Sequence, residues 1–415
     1  MSAPPQAMRA VARAAVEAPR DRAAPPILLP RRRPGHLGPL HITQLLLAEV
    51  VLVAVAATLT RSAVAAAGVA LVGAVLLLFA LGRRQGRWWL EQRLMARRYR
   101  RRRRDTAGMP YGADPRLAAL RRLAPGLVVN DVAVADGAQV GVARDDAGWY
   151  AVAALTPNPP ARDDPGGVPL DVIAAALAEA EQPGAVLQVV TRTVPAPSVK
   201  IHPSSPAGQS YRRLLARFGA PPVPADRDTW VAVRLEARML AEAVTDAGAD
   251  LDAVPAVVAA LVRRVARSLR HVGVRHRLLD ADALLDALVR SCDLEPPSPP
   301  EMREDWSAWH SSRLAHRSFW IRGWPAPALA GGLLNWLSTA AAAMTSVALV
   351  IVPDEDPQLV DLRALVRVAA PEGDLAAVCQ ALTDGAREAG ADLFPLDGEQ
   401  GPAVYASAPT GGGAR

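Results

Sequence analysis

The chain has 415 residues, enough for two or three domains of ordinary size, and a formal net charge of +6. Its only two cysteines, Cys292 and Cys379, exclude a disulfide framework and a C-x-x-C metal site, and they fit a reducing cytoplasm. The charge is uneven: 19 of the 47 basic and four of the 41 acidic residues lie at or before Arg104, which leaves 28 basic and 37 acidic residues after it. This asymmetry predicts a basic arm that meets a polyanion and an acidic body that does not.

The first predicted elements are an arm and a pair of apolar helices. Residues 1–38 are rich in Pro, Ala and Arg, and we expect this arm to be disordered. Residues 39–82 hold two apolar stretches, from Ile42 to Thr60 and from Ser62 to Leu81, each close to the ~20 residues that cross the hydrocarbon layer of a membrane. Because so few residues remain for the turn between them, the two stretches predict a transmembrane helical hairpin whose outer ends lie on the same side of the membrane.

The arginines around the hairpin predict its orientation. Arg31 to Arg33 precede the first stretch and a long arginine run follows the second, whereas the turn offers only Arg61. The positive-inside rule therefore predicts a two-pass plasma-membrane protein with both termini in the cytoplasm. A cleaved signal peptide would lie nearer the N-terminus, and a buried soluble hairpin, the other alternative, would rarely run so long without a charge.

Three residues within the hairpin stand out. Ala66 and Gly73 are small enough to let the second helix pack closely against the first or against a partner. Glu49 is the one acidic residue in either stretch, and an intramembrane carboxylate is by default a functional hypothesis. Pairing with a neighbouring subunit or with Gln44, proton transfer, and a tolerated protonated or hydrated side chain all remain open for Glu49.

Residues 83–108 predict a basic helix at the membrane interface. Trp88 and Trp89 carry the ring that the headgroup layer favours, and arginines close to an anionic leaflet contribute ~1 kcal/mol each. We expect lipid to be the partner of this stretch, with acidic subunits as the second candidate; nucleic acid is not expected, because no recognised nucleic-acid motif follows. The predicted interface residues are Trp88, Trp89, Arg83, Arg84, Arg87, Arg97, Arg98, Arg100, Arg101, Arg102, Arg103 and Arg104.

Residues 109–408 predict an α/β (α+β) cytoplasmic domain with mixed sheets, and the Gly-rich residues 409–415 predict a disordered tail. The stretch GAQVGVARDDAGWYAVAALTP predicts two strands around a turn at Asp145 to Gly148. Later, a predicted strand, a predicted helix and a Leu-Asp pair follow one another twice: WVAVRLEA, AVVAALVRRVARSLRHVG and Leu279-Asp280, and then DLRALVRVAA, DLAAVCQALTDGAREAG and Leu396-Asp397. A glycine, Gly273 or Gly390, ends each helix as a left-handed cap. The shared order indicates two related α/β units on one sheet system, or a chance similarity between ordinary units.

A tryptophan-rich segment and several missing motifs complete the pattern. Trp306, Trp309, Trp320 and Trp324 lie close together in the sequence, which predicts a core or a subunit contact. The chain has no Walker A motif, no G-x-S-x-G, no H-E-x-x-H and no G-x-G-x-x-G after a strand. We therefore assign no catalytic, cofactor-binding or metal-ligating residue and expect no cofactor.

These features together resemble the EccE family, an inner-membrane component of the actinobacterial type VII (ESX) secretion system. The resemblance rests on the apolar hairpin with its arginine-rich exit, VGVARDDAGWYAV, TWVAVRLEA, LRHVGVRHRLLDAD, and the W-x-x-W segment that runs to FWIRGWP. It covers the chain from about Leu40 onward. It implies a non-enzymatic membrane subunit in a hetero-oligomer with EccB, EccC and EccD, in which EccC hydrolyses ATP.

Two functions follow as hypotheses. The first is a scaffold whose hairpin docks against partner helices while the acidic body braces neighbouring subunits. The second is a membrane-tethered enzyme, transferase-like, acting at the cytoplasmic face. A deep pocket lined by carboxylates of raised pKa would favour the enzyme, whereas a shallow apolar surface with a polar rim would favour the scaffold.

Overall fold

The computed structural model describes residues 36–37, 40–81, 83–84, 87–105, 114–134, 137–156, 168–180, 182, 184–196, 198, 201, 204–218, 224–240, 251–294, 302–353 and 360–412. These residues fall into two compact units, one formed by Pro30–Gly108 and the other by the rest of the chain. Apart from His36 and Leu37, the N-terminal arm predicted for residues 1–38 lies outside the described residues.

The first unit is a helical hairpin followed by a basic helix. The backbone N–H groups of Arg61 and Ser62 both donate to the Thr58 carbonyl at 3.0 Å, which forms the tight turn. Both helices lie where the apolar stretches predict them. Its elements are β1 (His36–Leu37), β2 (Leu40–His41), α1 (Ile42–Leu59), α2 (Ala63–Leu81), β3 (Arg83–Arg84), β4 (Arg87–Trp88) and α3 (Trp89–Asp105).

Two predictions for this unit concern the membrane spans and the start of the basic helix. Within the part of the chain that the structure describes, no helix is both long enough and apolar enough to cross a membrane, so the two predicted membrane spans are not supported. The basic helix predicted for residues 83–108 starts only at Trp89, because Arg83–Arg84 and Arg87–Trp88 pair as short antiparallel strands. Gly86 lies between these strands, and glycine is a poor helix former.

The second unit, the body, is built on one large sheet. Twelve strands take part, and every described pair of neighbours is antiparallel. Its elements are α4 (Pro115–Arg121), β5 (Val128–Ala133), β6 (Gln139–Asp145), β7 (Gly148–Leu155), α5 (Leu170–Ala178), β8 (Ala185–Pro195), α6 (Pro206–Phe218), β9 (Pro224–Glu236), α7 (Val254–His271), β10 (His276–Leu278), α8 (Ala281–Ser291), β11 (Arg303–Glu304), β12 (Trp309–His310), β13 (Ala315–Gly323), α9 (Pro327–Ser338), β14 (Met344–Pro353), β15 (Val360–Ala370), α10 (Leu375–Glu388), β16 (Asp392–Pro395) and α11 (Gln400–Ala406).

The predicted α/β character is confirmed, but the predicted mixed sheets are wrong. The strands β7 and β8 run parallel and are joined through helix α5, yet they are not neighbours, because β9 lies between them and pairs antiparallel with both. Strand β15 separates β13 from β14 in the same way. Insertion of the later strand therefore turns each parallel crossover into an antiparallel sheet. The predicted strand pair around Asp145–Gly148 is confirmed as β6 and β7.

The body repeats one arrangement of strands and helices. Along the chain, β7-α5-β8-β9-α7-β10 corresponds to β13-α9-β14-β15-α10-β16, and the spatial orders β10-β7-β9-β8 and β16-β13-β15-β14 also correspond. This is the split β-α-β arrangement of a ferredoxin-like motif. Strand β8 pairs with β14 and so joins the two motifs edge to edge. Helix α8 follows the first motif and α11 follows the second.

Both faces of the sheet are covered by helices. Along β9, Val231, Val233 and Leu235 pack into a core with α5, α7, α9 and α10. The alternating residues Trp230 and Ala232 face the other core, which includes residues of α4, α8 and α11. A strand that is covered on both sides reads as a continuous apolar run, as WVAV does here.

Local signals explain where several helices begin and end. Asp280 accepts a hydrogen bond from the Ala283 N–H at 2.8 Å and caps the start of α8. Gly273 and Gly390 follow α7 and α10 with φ angles of 81° and 79°, which confirms their predicted role as left-handed caps. Leu279 and Asp280 connect the end of β10 directly to the start of α8.

The C-terminal residues depart from the expectation of a disordered tail. Thr410 is fully buried, and Gly411 and Gly412 adopt φ angles of 79° and 75°. A Cβ on Gly411 would lie 2.4 Å from the Cβ of Arg234, so glycine is required for this close approach. Residues 413–415 lie outside the described residues.

Candidate functional site

The outer surface of the hairpin is apolar and exposed in the isolated chain. Gly73 and Ala66 are buried where α2 packs on α1, and a Cβ on Gly73 would lie 2.3 Å from Val51 Cγ1. Glu49 is exposed and so is not enclosed between the two helices. The outward apolar side chains are Leu46, Val50, Leu52, Val53, Leu59, Val64, Leu71, Val72, Val75, Leu76 and Leu78, which are 46–84% exposed.

The basic helix α3 presents charge around its circumference. Arg97, Arg98, Arg100, Arg101, Arg103 and Arg104 are exposed, and Arg102 is half-buried. Arg103 lies over the Tyr99 ring at 5.8 Å from its centroid. The backbone of Trp88, Trp89, Arg83, Arg84 and Arg87 is described, but their side chains are not. The predicted interface residues thus divide between the short strands and the helix.

The predicted tryptophan group contributes to both cores of the body. Trp309 is buried against α8 and α11, and its ring meets that of His316 edge-on at 5.0 Å. Trp324 packs against the opposite core. Trp306 and Trp320 are half-buried, and the Trp306 ring fills the space beside Gly398. Trp309 and Trp324 therefore pack in the body, on opposite faces of its sheet.

A buried polar cluster around Arg234 lies between the sheet and the end of the chain. Arg234 in β9 is 1% exposed; it donates to the Asp145 carboxylate and, at 2.6 Å, to the Thr410 carbonyl. Tyr405 donates to the other Asp145 oxygen at 3.0 Å, and its hydroxyl lies 2.9 Å from that of Tyr150. Burial, and then the nearby Asp145 charge, raise the pKa of Tyr150. Both tyrosines are thus neutral partners of one buried ion pair.

A second cluster surrounds Arg367, which occupies the matching place in β15. Arg367 is fully buried and donates to the Ser291 carbonyl and, at 2.9 Å, to Ser407 Oγ. Its Nη1 lies 3.2 Å from His316 Nδ1, and His316 Nε2 lies 3.2 Å from the Asp293 carboxylate. Because arginine has no acceptor, Nδ1 must accept and Nε2 must donate, so His316 is neutral.

Burial controls the ionisation of this second cluster. Burial lowers the pKa of His316 to about 4 and that of Arg367 to about 10, and it raises the pKa of Cys292 to about 12. Burial alone would raise the pKa of Asp293, but the hydrogen bonds from His316 and Ser311 lower it overall. The Cys292 thiol is therefore protonated at neutral pH, and the one acceptor nitrogen of His316 is already occupied by Arg367, so the two are poor candidates for a nucleophile and its base.

The two clusters connect the halves of the body reciprocally. The C-terminal end of α8, after the first motif, is held by Arg367 from the second motif. The turn after α11, which follows the second motif, is held by Arg234 from the first. Gln188 in β8 adds a hydrogen bond to the Ala406 carbonyl at 2.7 Å. Cationic side chains are favourable at helix C-termini, where the backbone carbonyls carry partial negative charge.

No role for Arg234 or Arg367 was predicted from the sequence. A signal was present: VAVRLEA and ALVRVAA each place an arginine inside an apolar strand, at Arg234 and Arg367. A charged residue at such a position must be paired when it is buried. Its partners could not be read from the sequence, because Thr410 lies 176 positions from Arg234. Among the described residues, no group of three His, Cys, Asp or Glu side chains could hold a metal ion.

Part of this core matches a known protein family. No curated protein matches the chain. A family model does match residues 223–321, which run from the start of β9 into β13 and include Arg234, Asp293 and His316. The matching family is EccE, described as "Putative type VII ESX secretion system translocon, EccE", so the resemblance predicted from the sequence is confirmed over these residues.

Proposed function

We propose that the chain is a structural subunit of a type VII protein secretion translocon and assembles with EccB, EccC and EccD. The observation that carries the proposal is the family match over residues 223–321, the stretch that leads from the first ferredoxin-like motif into the second. The family description names a translocon and no enzymatic activity. In the body, the groups of the Arg234 and Arg367 clusters are buried and form hydrogen bonds within each cluster, which is consistent with a structural core.

The hairpin is the part of the chain that we propose to enter the plasma membrane, with both termini in the cytoplasm. In support, α1 and α2 expose leucine and valine on their outer faces, and α2 has no charged residue. At 18 and 19 residues, the helices fall just below the ~20 that span the hydrocarbon layer. Local thinning of the bilayer or packing against partner helices would accommodate this difference. The arginines of α3 would then face anionic headgroups.

A face of the body is suited to contact with a partner subunit. Helix α9, PALAGGLLNWLS, has no charged residue, although it lies on the surface. Leu329 is 60% exposed and Trp336 is 39% exposed, while Leu333 and Leu337 are buried against the sheet. An exposed tryptophan on a surface without charged residues is typical of the centre of a protein interface.

The proposal is tested by purifying the tagged full-length chain in detergent and identifying what remains bound. We expect an FtsK-like ATPase and a many-span membrane subunit in the purified material. A clean monomer that turns over a small molecule would overturn the proposal in favour of the membrane-tethered transferase. Protease added outside intact cells should leave the body uncut, and digestion of the body would contradict the proposed orientation.

A pair of matched variants tests the hairpin itself. Leu71 and Leu78 point outward and are 69% and 73% exposed. We expect Leu71→Asn with Leu78→Asn to lower recovery in the membrane fraction and with the other subunits, because an amide is costly in an apolar environment. Leu71→Ala with Leu78→Ala keeps the surface apolar and should retain both. Equal recovery of the two pairs would show that this surface meets neither lipid nor a partner helix.

A further inference from the structure

Helix α6 is an element that the fold itself does not require. It lies between β8 and β9, in the connection formed by residues 196–223. In the second motif, the corresponding strands β14 and β15 are joined by residues 354–359 alone, with no room for such a helix. The first motif therefore has an additional helix at a position where the second motif has only a short connection.

This helix is amphipathic, and the two residues of its apolar face whose burial is described, Tyr211 and Leu214, are exposed. The apolar residues of its second half recur at positions 211, 214, 215 and 218, the spacing of one helix face. Tyr211 is 38% exposed and Leu214 is 49% exposed. Of the helix residues whose burial is described, Gly208 alone is buried. In α7, by contrast, the apolar face lies against the sheet, and Val258 and Val262 are fully buried.

The charge around α6 indicates what covers that face. From Pro195 to Ala225 the chain carries Lys200, Arg212, Arg213 and Arg217 and no acidic residue. The three arginines are exposed. This basic segment belongs to a body in which acidic residues outnumber basic ones. An amphipathic helix with an arginine-rich polar face is the type that lies in the plane of an anionic membrane surface.

We propose that α6 is a membrane-surface helix that binds an anionic lipid leaflet, with Tyr211 and Leu214 entering the headgroup layer. The proposal rests on the proposed function only in assuming that the body works beside a membrane. In this arrangement α6 is a second membrane contact, separate from the hairpin and far from it in sequence. It restricts how the body turns relative to the membrane plane. Its binding depends on charge, since arginines near an anionic surface each strengthen binding roughly five-fold.

The test uses the full-length chain reconstituted with lipid vesicles and a fluorescent label on α6. Leu214→Cys carries an environment-sensitive NBD label, and Ala216→Cys, about 160° away around the helix, is the matched control. Cys292 and Cys379 are buried and remain unlabelled. We expect a blue shift at position 214, and quenching by nitroxide lipid, in vesicles of phosphatidylcholine with phosphatidylglycerol. The label at position 216 should stay in water.

Charge variants and competing ligands separate the possible results. Arg212→Gln, Arg213→Gln and Arg217→Gln together should lower the preference for anionic over neutral vesicles up to roughly one hundred-fold. The same change at the exposed Arg264, Arg267 and Arg270 of α7 should have little effect. If the protein floats with vesicles but the label at 214 stays aqueous, the inference is wrong while the hairpin proposal stands. The inference is also wrong if polyglutamate, and not the vesicles, causes the blue shift of the label at position 214. It is equally wrong if the chain does not float with the vesicles at all.

Discussion

His316 shows how completely a single residue can be constrained by its surroundings. Arg367 donates to one ring nitrogen, Asp293 accepts from the other, and the edge of Trp309 packs against the ring. The side chain is fully buried, and burial lowers its pKa to about 4. A proton added to His316 would remove the acceptor that Arg367 uses and place a second positive charge beside the guanidinium. The folded body thus needs His316 to be neutral.

The stability of the body should therefore depend on pH between about 6.5 and about 4. In that interval the unfolded chain binds a proton at His316 and the folded chain does not, so the free energy of unfolding falls as the pH is lowered. The full contribution is present above pH 6.5, and a shift of this size corresponds to ~3 kcal/mol. Urea unfolding, followed by tryptophan fluorescence at about pH 7 and about pH 4.5, measures the change.

The variant His316→Gln provides the comparison, because an amide can still accept from Arg367 and donate to Asp293 but does not titrate. We expect it to be less stable than the natural chain at neutral pH and to lose less stability on acidification. The exposed His271, changed to Gln, is the control and should keep the natural pH dependence. If His316→Gln loses as much stability on acidification as the natural chain, His316 is not the group responsible.

At the scale of elements, local patterns predicted several helices and strands, whereas long-range pairing determined their arrangement. The strands β6 and β7 follow from alternating apolar residues around an Asp/Gly turn, and the caps at Gly273 and Gly390 follow from their positions. The insertion of β9 between β7 and β8 depends on pairing across the sheet, which no local pattern encodes. The burial of the turn at Thr410 could not be predicted from the sequence either, because a Gly-rich composition predicts flexibility and not a specific contact.

The helical hairpin offers a direct test of close packing between elements. Gly73→Ala should destabilise the hairpin by about 1–3 kcal/mol, because its Cβ would lie 2.3 Å from Val51 and force α2 away from α1. Gly68 has nothing within 4 Å, so Gly68→Ala should stabilise α2 by up to ~1 kcal/mol through helix propensity alone. Amide hydrogen exchange of residues 42–81 distinguishes the two. Equal protection in both variants would show that α1 and α2 do not pack as described.

At the scale of the whole molecule, the body behaves as one structure made of two similar halves. Strand β8 pairs with β14 over seven residue pairs, from Thr193–Thr345 to Leu187–Ile351. In addition, each half holds the chain that follows the other through a buried arginine, Arg234 or Arg367. Each arginine has a partner in its own half, Asp145 for Arg234 and Ser407 for Arg367, but each also donates to one carbonyl of the opposite half. The two ferredoxin-like motifs should therefore unfold in a single cooperative transition.

Removal of residues 409–415 tests this interdependence. The deletion takes the Thr410 carbonyl from Arg234 and the N–H groups of Thr410 and Gly411 from Gln188. Each buried group left without a partner costs about 1–3 kcal/mol, so we expect a loss of roughly 3 kcal/mol or more. Amide exchange should rise in β8 and β9, although the deleted residues follow the second motif. Gln188→Met should then stabilise the shortened chain while destabilising the full one, and deletion of residues 413–415 alone is the control. Faster exchange confined to β13–β16 would mean that the halves fold independently.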